Sequence, residues 1–187
     1  MEEKLTREEL ILIYLLMAVD GEVSEIESVR FNELLEAYEL NSEKNSIIGN
    51  AKDILSKLSP EEADDMESLY ALYRRAIIKI TRGDYSFDWM PVEHKKQLLW
   101  TMVNIAFADQ IIAANEKNLL VVVAKESDCE WSMVEQMLDA AKALYALDVQ
   151  RNWLKTEVSK PYCEIEAMIK ELDENQEVIK KNIEVLF

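Results

Sequence analysis

Two groups of carboxylates carry the spacing that could do chemistry. Asp20, Glu22, Glu25 and Glu27 place four acids within eight residues. Farther along, Asp109 is again followed by a glutamate seven positions on, Glu116. Clustered carboxylates supply hard oxygen ligands for a divalent cation such as Ca²⁺ or Mg²⁺. The first group is not an EF-hand, which needs acids at alternate positions, Gly at the sixth and Glu at the twelfth. A second reading needs no ligand: Ser24-Glu25-Ile26-Glu27 is a capping box, in which Glu27 bonds the amide of Ser24. In the later group Ala113 stands where Ser24 stands in the first. Ala113 cannot return a side-chain bond, so a reciprocal box does not account for Glu116. The expectation is a cation site of Asp20, Glu27, Asp109 and Glu116, the cation being Ca²⁺, Mg²⁺ or Zn²⁺.

Other candidates carry less chemistry. Asp84 to Met90 holds Tyr85, Phe87 and Trp89 among acids. Such a loop either anchors a partner, as aromatic hot spots do, or folds back to close the core. The single histidine, His94, lies in the first turn of a helix and reads as a surface residue. Cys129 and Cys163 have acidic neighbours, which disfavour a reactive thiolate. They read as packing residues or inert thiols. No nucleophile elbow, phosphate-binding glycine loop or metalloprotease helix motif is present. The expectation is a protein without catalytic residues and without an organic cofactor.

Helices must position these groups. The 187 residues include only 3 Gly and 3 Pro, too few turn formers for a many-stranded sheet fold. Helix starts are legible as capping boxes at Thr6-Arg7-Glu8-Glu9 and at Ser24. Asn41 or Ser42 is expected to cap a third helix. Ser59-Pro60-Glu61-Glu62 reads as a start with Pro in the first turn. That helix is expected to end at Arg82-Gly83. Pro91 opens another, Asn115 to Lys125 a further one, and Ser132 to Glu135 begins a long helix that Pro161 must break. Leu119 to Val123 has strand propensity but helical flanks. A final helix carries Ile165, Ile169, Leu172, Ile179, Ile183 and Leu186 on one apolar stripe, interrupted at Glu174, Asn175 and Gln176. The stripe suits either pairing into a homodimer or packing on the chain's own bundle.

The two acidic groups are parts of a repeat. Met17-Ala18-Val19-Asp20-Gly21 with Glu27 and Phe31 parallels Ala106-Phe107-Ala108-Asp109-Gln110 with Glu116 and Leu120. One offset, 89 positions, separates Asp20 from Asp109 and Glu27 from Glu116. Two such units suggest a pseudo-two-fold arrangement rather than a solenoid. A helix ending in small residues and Asp-Gly, with Glu seven residues on and a second amphipathic helix, resembles the TerB-like family of tellurite-resistance proteins and of the N-terminal domain of a DnaJ-type co-chaperone. The resemblance spans roughly Leu5 to Leu138. It implies a bundle of about seven helices over residues 1–138, with 139–187 as a helical extension. It also implies a non-enzymatic role in metal or stress responses through carboxylate sites and protein partners. The second unit departs from the pattern: Gln110 replaces Gly21, Ala113 replaces Ser24 and Ala114 replaces Glu25. His94 is followed by Lys95, so the His-Pro-Asp triplet of a DnaJ domain is absent and co-chaperone activity does not carry over.

Composition narrows the partners. Lys and Arg number 21 against 37 Asp and Glu, a formal charge of −16. That argues against nucleic acid and against anionic lipid, and it permits cations and basic proteins. No apolar run approaches the roughly 20 residues of a membrane span. The start, Met1-Glu2-Glu3-Lys4, does not read as a secretory signal, so a cytoplasmic protein is expected. The function expected is an all-α binding or adaptor protein. The alternative is a metal-independent scaffold that holds its partner through the aromatic loop or the C-terminal helix. An enzyme with an acidic metal site is the third and weakest reading.

Overall fold

The structure is a computed structural model that describes residues 5–60, 63–81, 87, 90–156 and 159–186. Among these residues the chain is all-helical: α1 (Arg7–Ala18), α2 (Glu25–Ala37), α3 (Lys44–Leu55), α4 (Met66–Ile80), α5 (Val92–Ala106), α6 (Ala114–Glu126), α7 (Trp131–Thr156) and α8 (Tyr162–Leu186). A short 3₁₀ turn, Asn41–Glu43, precedes α3.

α1 is the axis of the bundle. Every residue from Glu9 to Met17 is buried, as a helix must be when it is apolar on all sides. α3, α4, α5, α6 and α2 pack around it. Each fully buried Leu or Ile of α1 contributes on the order of 1.5–3 kcal/mol relative to exposure. α2 is set against α1 by Phe31, whose ring meets Tyr14 edge-on at 5.3 Å between centroids. α4 is tied to α6 through Glu126. That carboxylate accepts from the Arg74 guanidinium at 3.0 Å and from the Tyr70 hydroxyl. Leu119 to Val123 lies within α6, so its strand propensity yields to helical flanks and burial.

Several expected helix starts shift. The Thr6 and Ser24 capping boxes form as read. The third helix begins later than Asn41, at Lys44, because the chain first makes the 3₁₀ turn. The start expected at Ser59-Pro60 is displaced to Met66. There Asp65 caps the helix and exchanges bonds with Ser68, at 2.8 Å to the Ser68 amide. Glu61 and Glu62, and the expected stop at Arg82-Gly83, lie outside the described residues.

α7 and α8 form an antiparallel hairpin broken at Pro161. α7 runs unbroken through residues 138 and 139, where the extension was expected to begin. Its first half contributes Val134, Met137 and Ala141 to the core, and the end of α8 returns to the same core with Ile183 and Leu186. Of the α8 stripe, Leu172 and Ile183 are buried within the chain, while Ile165, Ile169 and Ile179 stay partly exposed. Gln176, which interrupts the stripe, is buried and makes a polar link to α7. It donates to Asp148 at 2.7 Å and accepts from Arg151 at 2.5 Å. Among the described residues no helix is long and apolar enough to cross a membrane.

Candidate cation site

Three glutamates are buried at the third position of a helix: Glu9 in α1, Glu27 in α2 and Glu116 in α6, each 3 % exposed. Each turns one carboxylate oxygen back to the amide that precedes its helix. Thr6 N donates to Glu9 Oε2 at 2.5 Å, Ser24 N to Glu27 Oε2 at 2.7 Å, and Ala113 N to Glu116 Oε2 at 2.7 Å. So half of a capping box survives at Ala113 without a hydroxyl, and capping accounts for one oxygen of Glu116 after all. The hydroxyl half needs an N-cap oxygen, which Ser24 supplies to Glu27 N at 3.2 Å and Ala113 lacks.

The three glutamates differ in what faces them. Glu9 meets His94, whose Nε2 lies 2.6 Å from Glu9 Oε1. His94 was expected on the surface and is instead 5 % exposed. The reason is tertiary: the first turn of α5 is pressed against the start of α1, and the imidazole reaches the buried carboxylate there. Glu27 and Glu116 instead line one pocket of about 160 Å³, with Asp20, Glu22, Asp109 and the exposed Ile111 around it. Five carboxylates and no Lys, Arg or His line that pocket. All four residues read from the repeat therefore come together. Glu25 does not line it and is exposed. Glu22 does line it, although the repeat gives no signal for it, since Ile111 holds the corresponding position.

The two turns repeat one another in backbone detail. Asp20 Oδ1 accepts from Glu22 N at 3.1 Å, and Asp109 Oδ1 from Ile111 N at 2.9 Å. Gly21 sits at φ +96° and Gln110 at φ +71°, both left-handed. Ser24 (φ −66°, ψ 159°) and Ala113 (φ −65°, ψ 155°) share one extended conformation. A side chain at a left-handed position costs about 1–2 kcal/mol, less the entropy that Gly loses. Gln110→Gly is therefore expected to stabilise the fold by roughly 0.5–1 kcal/mol. Gly21→Ala is expected to destabilise it by about 1 kcal/mol through φ alone, since a Cβ there meets no atom within 4 Å. Urea midpoints of the two variants, moving in opposite directions, check the pair.

Burial and like charge push both glutamates up. Glu116 is raised to about 8, first by desolvation and then by Glu27, Asp20 and Asp109, against the lowering bond from Ala113 N. Glu27 is raised by the same burial but is held back by two bonds to Ser24, backbone and side chain. The missing hydroxyl at Ala113 is thus one cause of the higher value at Glu116. Ala113→Ser is expected to complete the box and to add about 1 kcal/mol of stability. The same variant should move Glu116 down toward Glu27, which carboxyl NMR titration reads directly.

Among the described residues no group of three or more His, Cys, Asp or Glu side chains stands ready-made around a metal position. The four carboxylates share a pocket rather than a coordination point. The other candidates resolve more simply. Phe87 and Met90 are buried, so this part of the aromatic loop closes the core. Tyr85 and Trp89 lie outside the described residues. Cys129 is half-buried and burial raises its thiol, while Cys163 is exposed. No protein-family model, no curated protein and no solved structure matches the chain.

Proposed function

We propose that the chain is a non-enzymatic binding protein of the TerB-like kind that takes one divalent cation between its two acidic turns. Asp20, Glu27, Asp109 and Glu116 are its ligands, and Glu22 lies at the rim. One observation carries the reading. Two turns far apart in sequence bring five carboxylates into one small pocket with no basic residue lining it. Buried carboxylates without a counter-charge are unfavourable when ionised, and a divalent cation removes that penalty. The donors are all carboxylate oxygens, which suits Ca²⁺ or Mg²⁺ better than Zn²⁺, with its preference for His and Cys. On binding, the oxygens not engaged in capping turn inward to complete the site. The pseudo-two-fold relation of the two units, and a link to tellurite or another stress response, belong to the same proposal through the resemblance.

Thermal melting with Ca²⁺, Mg²⁺ and Zn²⁺ tests it. A cation at about 100 times its Kd adds about 2.7 kcal/mol. The expected result is a raised Tm with Ca²⁺ or Mg²⁺ that disappears in the double variant Asp20→Asn, Glu27→Gln. An unchanged Tm with all three ions, and no heat on titration, rejects the site. The second reading is a metal-independent scaffold that holds a partner through the C-terminal helix, and α8 leaves Tyr162, Val178 and Val185 exposed for it. Partner binding that persists after Asp20→Ala and Glu27→Ala would favour that reading.

A further inference from the structure

The three buried glutamates allow a comparison within one molecule. Each spends Oε2 on the amide that precedes its helix. At Glu9 the other oxygen, Oε1, has a partner too, His94 Nε2 at 2.6 Å. At Glu27 and Glu116, Oε1 accepts no hydrogen bond among the described residues, although each residue is only 3 % exposed. Buried polar atoms are nearly always bonded, and an exception points to a water or an ion. Both glutamates line the acidic pocket, whose lining also includes Asp20, Glu22 and Ile111, all exposed.

The committed oxygens limit how an ion can be held. Asp20 Oδ1 and Asp109 Oδ1 accept from the amides of Glu22 and Ile111. Glu27 Oε2 and Glu116 Oε2 accept from those of Ser24 and Ala113. Each of the four carboxylates therefore has one oxygen to offer and one tied to an amide. A cation drawn between both oxygens of such a group would lie beside an N–H dipole that repels it. Bidentate ligation is disfavoured at all four, so the set supplies single oxygens. These surround a shared pocket rather than one coordination point. The pocket, about 160 Å³, has room for about five waters at roughly 30 Å³ each.

These features separate the two hard cations. Ca²⁺ takes roughly 6–8 oxygens, commonly with a bidentate carboxylate among them. Mg²⁺ is octahedral, dehydrates reluctantly and keeps several waters. Four single oxygens leave at least two of the six octahedral positions to water. We propose that the acidic pocket takes Mg²⁺ in partly hydrated form, held by single oxygens of Asp20, Glu27, Asp109 and Glu116 and keeping two or more waters. The proposal rests on the cation reading above and names its ion.

The test uses Mn²⁺, which favours the same octahedral oxygen geometry and carries an EPR signal. The full chain is titrated with Mn²⁺ alone, and line broadening in water enriched in the magnetic oxygen isotope counts the waters on the bound ion. The expected result is a bound Mn²⁺ that keeps two or more waters and that Mg²⁺ displaces at a lower concentration than Ca²⁺ does. The double variant Asp20→Asn, Glu27→Gln, whose amides keep an acceptor for each turn, is expected to lose the bound signal. Fewer than two waters, or displacement by Ca²⁺ at the lower concentration, overturns the choice of Mg²⁺ and leaves the cation site standing. No bound Mn²⁺ also overturns the proposal, and the cation reading falls with it only where Ca²⁺, Mg²⁺ and Zn²⁺ all leave Tm unchanged. A bound signal that survives in the double variant puts the ion elsewhere and overturns both.

Discussion

Phe31→Ala is expected to remove about 3–5 kcal/mol of folding stability. Phe31 is 2 % exposed and lies on the face of α2 that meets α1. The change deletes a whole buried ring, leaves a cavity that the surrounding helices fill only in part, and loses the edge contact to Tyr14. Domains of this size have a total of roughly 5–15 kcal/mol, so the loss is a large share of the whole. The consequence reaches the acidic pocket, because Glu27 stands one turn before Phe31 and depends on the same docking of α2. Urea unfolding checks it: the midpoint should fall sharply with the slope unchanged. A loss below about 1 kcal/mol would mean that α2 is held by other contacts.

The second large effect is pH dependence at Glu116. In the unfolded chain its carboxyl releases the proton near the ordinary value of 4.5, whereas the folded protein holds it up to about 8. Between those values the native state binds more protons than the unfolded state. Stability therefore falls as pH rises through this window. The favourable contribution of the protonated form is fully present below about pH 4.5 and is gone above about pH 8. Each pH unit in which only the native carboxyl keeps its proton corresponds to about 1.4 kcal/mol. The whole effect is then on the order of a few kcal/mol, and Glu27, raised in the same sense, adds to it. Glu116→Gln resembles the protonated side chain and keeps an acceptor for Ala113 N. Its stability should match that of the parent near pH 5 and exceed it by a margin that grows up to about pH 8 and is constant above it. Tm profiles of the two proteins that stay parallel would show that Glu116 is ionised throughout. With Ca²⁺ or Mg²⁺ bound, the parent should lose its decline above neutral pH, since the cation takes the place of the proton.

Several features follow from residues close together in the chain. The boxes at Thr6 and Ser24 form where a hydroxyl and a glutamate stand three apart, because the bonds close within one turn. The helical content follows from apolar spacing and the scarcity of Gly and Pro. The helix expected from Ser59-Pro60 begins at Met66 instead, where Asp65 and Ser68 exchange capping bonds within one turn. His94 shows the opposite limit. Its burial depends on Glu9, 85 positions away, and no local pattern around His94 points to it.

The acidic pocket divides along the same line. From the sequence by itself came the all-α class, the two helix–turn–helix units and the four acids that occupy matching places in them. Each of those depends on short-range bonds: an Asx turn, a left-handed residue, a glutamate folded back on its own helix start. Only the tertiary structure brought the two turns to one pocket, kept Glu22 of the first acidic group at it and left Glu25 out, and separated the third buried glutamate by giving it a histidine. Those outcomes are set by how α1, α2, α5 and α6 bury their apolar faces together. The same packing desolvates Glu27 and Glu116 and holds them among like charges, which is what raises their carboxyls.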